Sequence, residues 1–401
     1  MRKNILFVIN TLSRAGAETA LLELLPRFLA EPDWEVDLFV LLGQGELVVK
    51  VPEGVHLLNR SFTEESVLSA KGRLHLAATV LKAMVRRGTV FRLFPYLVSN
   101  LFRMLKKGHV QKDKLLWRVV ADGAPRFFKE YDLAVSYIEG GSAYYVADHV
   151  KAKKKAVFIH IDYAMSGYDR KLDRDCYLKF DKVFAVSSQT KESFLEAYPE
   201  LSGKAYVFHN IVDQGAIREK ALLPGGFSDE YDGVRILTVA RLTKQKAFSV
   251  SIEAMKLLKE QGIRARWYVL GEGDERRALQ QRIRELGLED SFFLLGAVDN
   301  PYPYFRQADL YVHATAFEGK SIAIQEAQTL GCPIIVSDIE SNRQQVEEGF
   351  DGLLTELTPA AIASAIKDLI WHPDKAKMLG ENAARRAVSN EEDIKELLNL
   401  L

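Results

Sequence analysis

The sequence predicts an α/β protein built from two doubly wound parallel sheets. Three observations carry this. Short apolar runs without polar alternation, the kind buried on both faces of a parallel sheet, recur along the chain. Between them lie stretches with the three-to-four-residue spacing of amphipathic helices. The alternation breaks once, across 215–233, where Pro224-Gly225-Gly226 forms the strongest turn cluster, and then restarts. With roughly 100–200 residues per domain, the 401 residues accommodate two such units, each large enough to bury its own core.

The elements follow in order. The apolar run 4–9, the amphipathic stretch 18–29 and the run 36–42 open the first unit. After a long helical region, strands are predicted at 132–137, 156–161, 183–186 and 206–208. Past the break they are predicted at 235–239, 267–270, 292–295, 310–313 and 333–337, with helices at 248–259 and 276–286. The expected domains are 1–212 with a basic helical insert at 66–129, then 213–385, then a C-terminal helix at 386–401 packing back on the first domain. Ligands in such folds bind at the carboxyl ends of the strands.

Charge excludes some functions and localises others. Lys and Arg number 54, as do Asp and Glu, so no whole-protein basic field for nucleic acid exists. Cys176 and Cys332 have no metal or disulfide spacing and read as reduced, intracellular thiols. The first apolar run is too short for a signal peptide, and no apolar stretch reaches ~18 residues, so a cytoplasmic chain is expected. The zero total hides an imbalance: the window 66–129 holds fourteen Lys and Arg against only Asp113 and Asp122. Within it Phe91, Phe94, Val98, Leu101, Phe102 and Leu105 recur at helical spacing, with Arg92, Asn100, Arg103, Lys106 and Lys107 opposite. A basic helix with a phenylalanine face is expected to lie in an anionic membrane interface; the alternative is that this face joins the core.

Candidate chemistry falls on strand-end loops. Gly16 follows the first strand, where a glycine lets backbone N–H groups approach a phosphate at a helix N-terminus. The dinucleotide fingerprint GxGxxG is absent there and at Gly271-Glu272-Gly273. Arg241 and Lys246 follow a strand and are placed to grip an anion such as a diphosphate. Glu318 is expected on the loop after 310–313, with Gly319, Lys320 and Ser321 opening a helix whose first amides are unpaired, and Glu326 further inside it. His160, with Asp162, stands at a strand end. Asp173-Arg174-Asp175 has the form of a metal-binding DxD but falls in a charged helical stretch and reads as a solvated face.

In order, AGAE at 15–18, the His160 turn, HNIVD at 209–213, ARLTKQK at 240–246, LGEGDE at 270–275 and FEGKSIAIQEA at 317–327 give the chain its likeness. It resembles the retaining GT-B glycosyltransferases of family four, the group 1 type of bacterial polysaccharide and envelope glycan assembly, over nearly its whole length. The resemblance implies two Rossmann-like domains facing a cleft, a nucleotide-sugar donor held mainly by the C-terminal domain, retained anomeric configuration, and neither metal nor other cofactor. It implies that Arg241 and Lys246 bind the diphosphate, Glu326 the ribose hydroxyls, and Gly319, Lys320 and Ser321 the sugar or phosphate through backbone amides. Glu318 and His160 would act at the transferred sugar or acceptor, and Gly16 would complete the site. Ala15 and Ala247 stand where relatives commonly have glycine, and Lys320-Ser321 departs from the commoner versions of that motif. The expected activity is transfer of a hexose-type sugar, from a UDP-sugar ahead of GDP-mannose, to a lipid-linked glycan acceptor in capsule, exopolysaccharide or envelope synthesis. The enzyme is expected peripherally on the inner face of the plasma membrane. The competing readings are a transferase with a soluble acceptor, a non-catalytic partner of the same fold, and a nucleotide-sugar epimerase.

Overall fold

The structure is a computed structural model that describes residues 2–67, 69–106, 112–387 and 390–401. Lys107 of the predicted basic face lies outside the described residues, as do the side chains of Arg87, Lys112 and Asp113. The chain divides into two units, Met1–Ile211 with Asn390–Leu401, and Val212–Ser389.

Unit 1 is a parallel sheet of β1 (Lys3–Ile9), β2 (Trp34–Val40), β3 (His56–Leu57), β4 (Tyr131–Ser136), β5 (Ala152–Ile159), β6 (Lys182–Ala185) and β7 (Ala205–Val207). Their spatial order is β3-β2-β1-β4-β5-β6-β7, with Ile5 paired to Val36 on one side and Leu133 on the other. Ile5 through Ile9 have no exposed surface, because helices cover both faces of the sheet. The strand order reverses between β1 and β4, the topological switch point at which such sheets bind ligands. Helix α1 (Gly16–Leu29) begins at Gly16 itself. The C-terminal segment belongs to this unit: Lys3 Nζ donates to the Leu401 carbonyl, Lys182 pairs with Glu396 at 2.7 Å, and Asp393 accepts from His209 N at 2.7 Å. Asn390 Nδ2 donates to the Asn210 carbonyl at 2.9 Å.

Unit 2 repeats the plan with β8 (Val234–Val239), β9 (Ala265–Leu270), β10 (Phe292–Gly296), β11 (Leu310–His313), β12 (Ile334–Ser337) and β13 (Leu353–Thr355), ordered β10-β9-β8-β11-β12-β13. Here the switch point lies between β8 and β11. Trp267 anchors the core below it, fully buried, with its indole N–H donating to Thr238 Oγ1 at 2.9 Å. The stretch 215–233, where the sequence alternation breaks, is part of unit 2. It forms the helix Gln214–Ala221 and a turn at Gly225 whose carbonyl accepts from Gln307 Nε2 at 3.0 Å. The turn residues thus terminate a helix inside a domain rather than separating two domains.

Between β3 and β4 run α2 (Ala70–Val85), α3 (Thr89–Lys106) and α4 (Lys112–Gly123). Helix α3 is amphipathic, and it turns its mixed face inward. Leu93, Met104 and Asn100 are buried, the Tyr96 hydroxyl donates to the Leu172 carbonyl at 2.8 Å, and Arg103 pairs with Asp169 at 2.9 Å. The phenylalanine face is exposed: Phe91 is 82% and Phe102 73% accessible, with Phe94, Val98, Leu101 and Leu105 beside them and Leu74, Leu81 and Val85 of α2 also exposed. The alternative that this face joins the core is overturned. The charge count overstates the surface charge, since Arg118 is buried against Asp148 and Lys129 bridges Glu35 and Asp37.

Candidate active site

The loops that leave β8 and β11 are stitched together. The Gln245 carbonyl accepts from Ala316 N at 2.8 Å and Thr315 Oγ1 at 3.2 Å, while Gln245 Nε2 donates to the Phe317 carbonyl at 2.6 Å. This places Lys246 against Glu318, and the two form an ion pair through Glu318 Oε2. His313, the last residue of β11, reaches the same carboxylate oxygen at 3.2 Å and the Lys246 ammonium at 3.3 Å. Burial alone would raise the Glu318 pKa, but the Lys246 charge and the His313 hydrogen bond outweigh it and bring the carboxyl down to about 2. Arg241, on the same loop as Lys246, is exposed.

The loop that carries these cations is braced from β9. Ala240 N donates to the Leu270 carbonyl at 3.0 Å and Leu242 N to the Glu272 carbonyl at 2.9 Å. Gly271 sits at φ +151°, where a Cβ would stand 2.0 Å from the Ala240 carbonyl oxygen. The motif 270–275 therefore supports the cation loop, and glycine is required by the closeness of the two backbones.

Ala247 ends this loop at φ +42°, a left-handed conformation that costs a non-glycine residue about 1–2 kcal/mol. It caps the helix Phe248–Glu260. Ala247→Gly is expected to stabilise the fold by about 1 kcal/mol, read as a raised urea midpoint at unchanged slope. An unchanged or lowered midpoint refutes the strain.

Helix Ile322–Thr329 begins one residue after Ser321, so Gly319, Lys320 and Ser321 precede the helix rather than opening it. The Ser321 backbone is also engaged, since the Gln345 carboxamide donates to its carbonyl at 2.9 Å and accepts from its N–H at 3.0 Å. Glu326 lies just over one turn into the helix, ~6 Å along its axis. It is buried, and its Oε1 accepts from the Tyr302 hydroxyl at 3.0 Å.

Gly16 and His160 belong to unit 1 and stand at the carboxyl edge of its sheet. Gly16 opens α1, and Glu18 two residues on accepts from Thr11 Oγ1 at 2.9 Å. His160 follows β5 directly, its N–H donating to Glu139 Oε2 at 2.9 Å. Burial lowers its pKa to about 4 against the opposing hydrogen bond to the Tyr137 carbonyl, so the ring is neutral near pH 7. Its Nε2 is buried and without a hydrogen-bond partner among the described residues. Glu139 is itself buried, which raises its carboxyl pKa.

Asp173 corrects the reading of Asp173-Arg174-Asp175 as a solvated face. The carboxylate has no exposed surface and accepts from Tyr144 at 2.6 Å, from Tyr163 and from Tyr198 at 3.4 Å. Three tyrosines supply the hydrogen bonds that a buried carboxylate needs. Among the described residues, Glu35, Asp37 and His56 are grouped closely enough to share a metal ion, but the Lys129 ammonium already lies 2.7 and 2.9 Å from the two carboxylates.

Gln245, His313 and Tyr302 were not among the residues singled out from sequence. His313 carries a usable signal, a polar side chain closing an otherwise apolar strand run. Gln245 and Tyr302 carry none, because their roles depend on which loops meet.

Residues 229–386 match the family described as glycosyl transferases group 1. Over 212 residues the chain is 28% identical to an N-acetylgalactosaminyltransferase of Campylobacter jejuni acting on a diphospho-undecaprenol substrate, covering 52% of this chain and 56% of that protein. Over 141 residues it is 33% identical to the amylovoran biosynthesis glycosyltransferase AmsK of Erwinia amylovora, 33% of this chain and 35% of that one. These matches span about half or less of the curated relatives' length. Among solved structures, HepE of Anabaena in complex with UDP aligns over 100% of both chains with a TM-score of 0.67 at 18% identity, a likeness of fold. Each unit is a parallel-sheet Rossmann-like unit, and the likeness to this GT-B structure is one of fold.

Proposed function

We propose that this chain, whose residues 229–386 form a group 1 glycosyl transferase domain, moves a hexose-type sugar from a nucleotide-diphosphate sugar to a lipid-linked glycan acceptor. The observation that carries the donor half is the cluster at the β8–β11 switch point: Lys246, Glu318 and His313 within hydrogen-bond reach, and Arg241 exposed on the same loop. Arg241 and Lys246 meet the diphosphate and neutralise the charge that develops on it as the sugar departs. Glu326, buried and held by the Tyr302 hydroxyl, takes the ribose hydroxyls. Gly319, Lys320 and Ser321 contact the sugar or phosphate, and Glu318 lies beside the transferred sugar. With two cations on the leaving group, the reaction proceeds without a metal, and the acceptor oxygen enters on the face the diphosphate leaves, retaining configuration. UDP is favoured over GDP as carrier, in keeping with the UDP held by HepE of Anabaena.

Unit 1 takes the acceptor, with His160 and Gly16 at its sheet edge. A lipid-linked acceptor in capsule, exopolysaccharide or envelope synthesis is supported by the undecaprenol-linked substrate named for the Campylobacter relative and by the exposed phenylalanine face of α3. Exposed apolar patches of this kind mark interaction surfaces, and Lys82, Arg86 and Lys106 around it suit anionic lipid on the inner face of the plasma membrane. Among the described residues no helix is long and apolar enough to cross a membrane.

The test is a panel of UDP- and GDP-sugars scored by release of the nucleoside diphosphate, with and without an undecaprenyl-diphosphate glycan. One donor is expected to turn over and to be accelerated by the lipid acceptor. Glu326→Ala is expected to raise the donor KM at least tenfold. No turnover of any nucleotide sugar sinks the reading.

A further inference from the structure

Strand β11 carries two buried side chains, one of which, His313, belongs to the cluster above. Tyr311 has no exposed surface and His313 is 2% exposed, and the Tyr311 hydroxyl lies 3.0 Å from His313 Nδ1. We propose that His313, oriented by Tyr311, is the positioning residue that holds the Glu318 carboxylate in place while Lys246 engages the donor's diphosphate. This rests on the donor site proposed above.

The protons can be placed one at a time. Burial, with the charges of Glu326 and Glu318, pushes the Tyr311 pKa well above its ordinary value, so its hydroxyl keeps its proton beside His313 Nδ1. Burial and the Lys246 charge push the His313 pKa below its usual value, so the ring is neutral and carries one N–H. The ionised Glu318 Oε2, 3.2 Å from Nε2, can only accept, which puts that N–H at Nε2 and leaves Nδ1 to accept from the Tyr311 hydroxyl. Lys246 and His313 are therefore two donors on one carboxylate oxygen, one a mobile cation from the β8 loop and the other a neutral ring fixed in the sheet.

The difference in mobility gives the arrangement its purpose. A diphosphate carries more charge than a single carboxylate and draws the Lys246 ammonium toward itself. Glu318 then loses the partner that compensates its burial, and a buried carboxylate without a donor either turns away or takes up a proton. The Nε2–H of His313 cannot follow the phosphate, because Tyr311 and the strand backbone fix the ring. Glu318 thus keeps one hydrogen bond and its orientation toward the transferred sugar through the reaction.

The test compares His313→Leu, His313→Gln and Tyr311→Phe, using UDP affinity by calorimetry and UDP release from UDP-glucose and UDP-N-acetylglucosamine. His313→Leu is expected to lower kcat at least tenfold while the UDP dissociation constant stays within threefold, because the diphosphate contacts belong to Arg241 and Lys246. His313→Gln, whose carboxamide donates from near the Nε2 position, is expected to recover most of kcat. Tyr311→Phe, which keeps the ring and removes only the hydroxyl, is expected to lose severalfold in kcat and serves if His313→Leu melts early. Wild-type kcat in His313→Leu, or a glutamine variant no better than leucine, overturns the proposal. A wild-type protein that neither binds UDP nor turns over any nucleotide sugar overturns the donor site instead.

Discussion

Arg241→Ala is expected to lower kcat/KM for the sugar donor about 100- to 1000-fold, the usual scale for removing one preorganised group from a charge-stabilising site. The thermal midpoint is expected to stay unchanged. The side chain is exposed, and among the described residues no hydrogen bond or ion pair holds it, so its removal leaves no buried group uncompensated. Lys246→Ala is expected to lose as much activity and to lose stability as well. Its ammonium compensates Glu318, and breaking a buried pair from one side strands the other charge. Adding Glu318→Gln to Lys246→Ala is expected to restore the midpoint without restoring turnover. Steady-state kinetics with thermal unfolding checks all three variants. Wild-type kcat/KM in Arg241→Ala removes the diphosphate role from this loop.

The second large effect is expected on α3. Replacing Phe91, Phe94 and Phe102 together by serine is expected to cut binding to anionic vesicles by more than 100-fold. Each phenylalanine contributes roughly 1.5 kcal/mol or more when its ring leaves water, and three act together. Soluble turnover of the donor is expected to survive, since these side chains are already in water in the folded chain. Binding of the native protein is expected to weaken with salt, at about 1 kcal/mol per basic residue near the surface. Flotation with phosphatidylglycerol vesicles at low and high salt reads both. Equal flotation of the native and triple-serine proteins removes the membrane reading.

The strands were the most legible part of the sequence. β11 falls on Leu310–His313 as predicted, because an apolar run buried on both faces leaves no choice of register. The two-residue β3 and three-residue β13 were missed, since segments this short offer little periodicity to read, although β7, as short as β13, was placed at 206–208. For α3 the spacing announced an amphipathic helix but not which face turns inward. The inward face is built from Leu93, Tyr96, Asn100 and Met104, whose polar members find partners only in the folded chain. Asp173 was misread for the same reason, because a carboxylate among charged neighbours looks solvated until three distant tyrosines enclose it. At the proposed donor site the sequence motifs pick out Arg241, Lys246, Glu318 and Glu326. The partners that hold them, Gln245, His313 and Tyr302, come from loop contacts that spacing does not encode.

The tie between Asn390 and Asn210 bears on how this chain can be rearranged. Val212–Ser389 is one uninterrupted insertion into unit 1, and the residues flanking its two ends are joined by a hydrogen bond of 2.9 Å. A recombination event therefore needs only two neighbouring breakpoints to lift out unit 2, the proposed donor cassette, and graft in another. Unit 1, with its exposed phenylalanine face and C-terminal strap, would keep its own wiring. Exchange of sugar specificity at constant acceptor is the evolutionary move this connectivity makes cheapest.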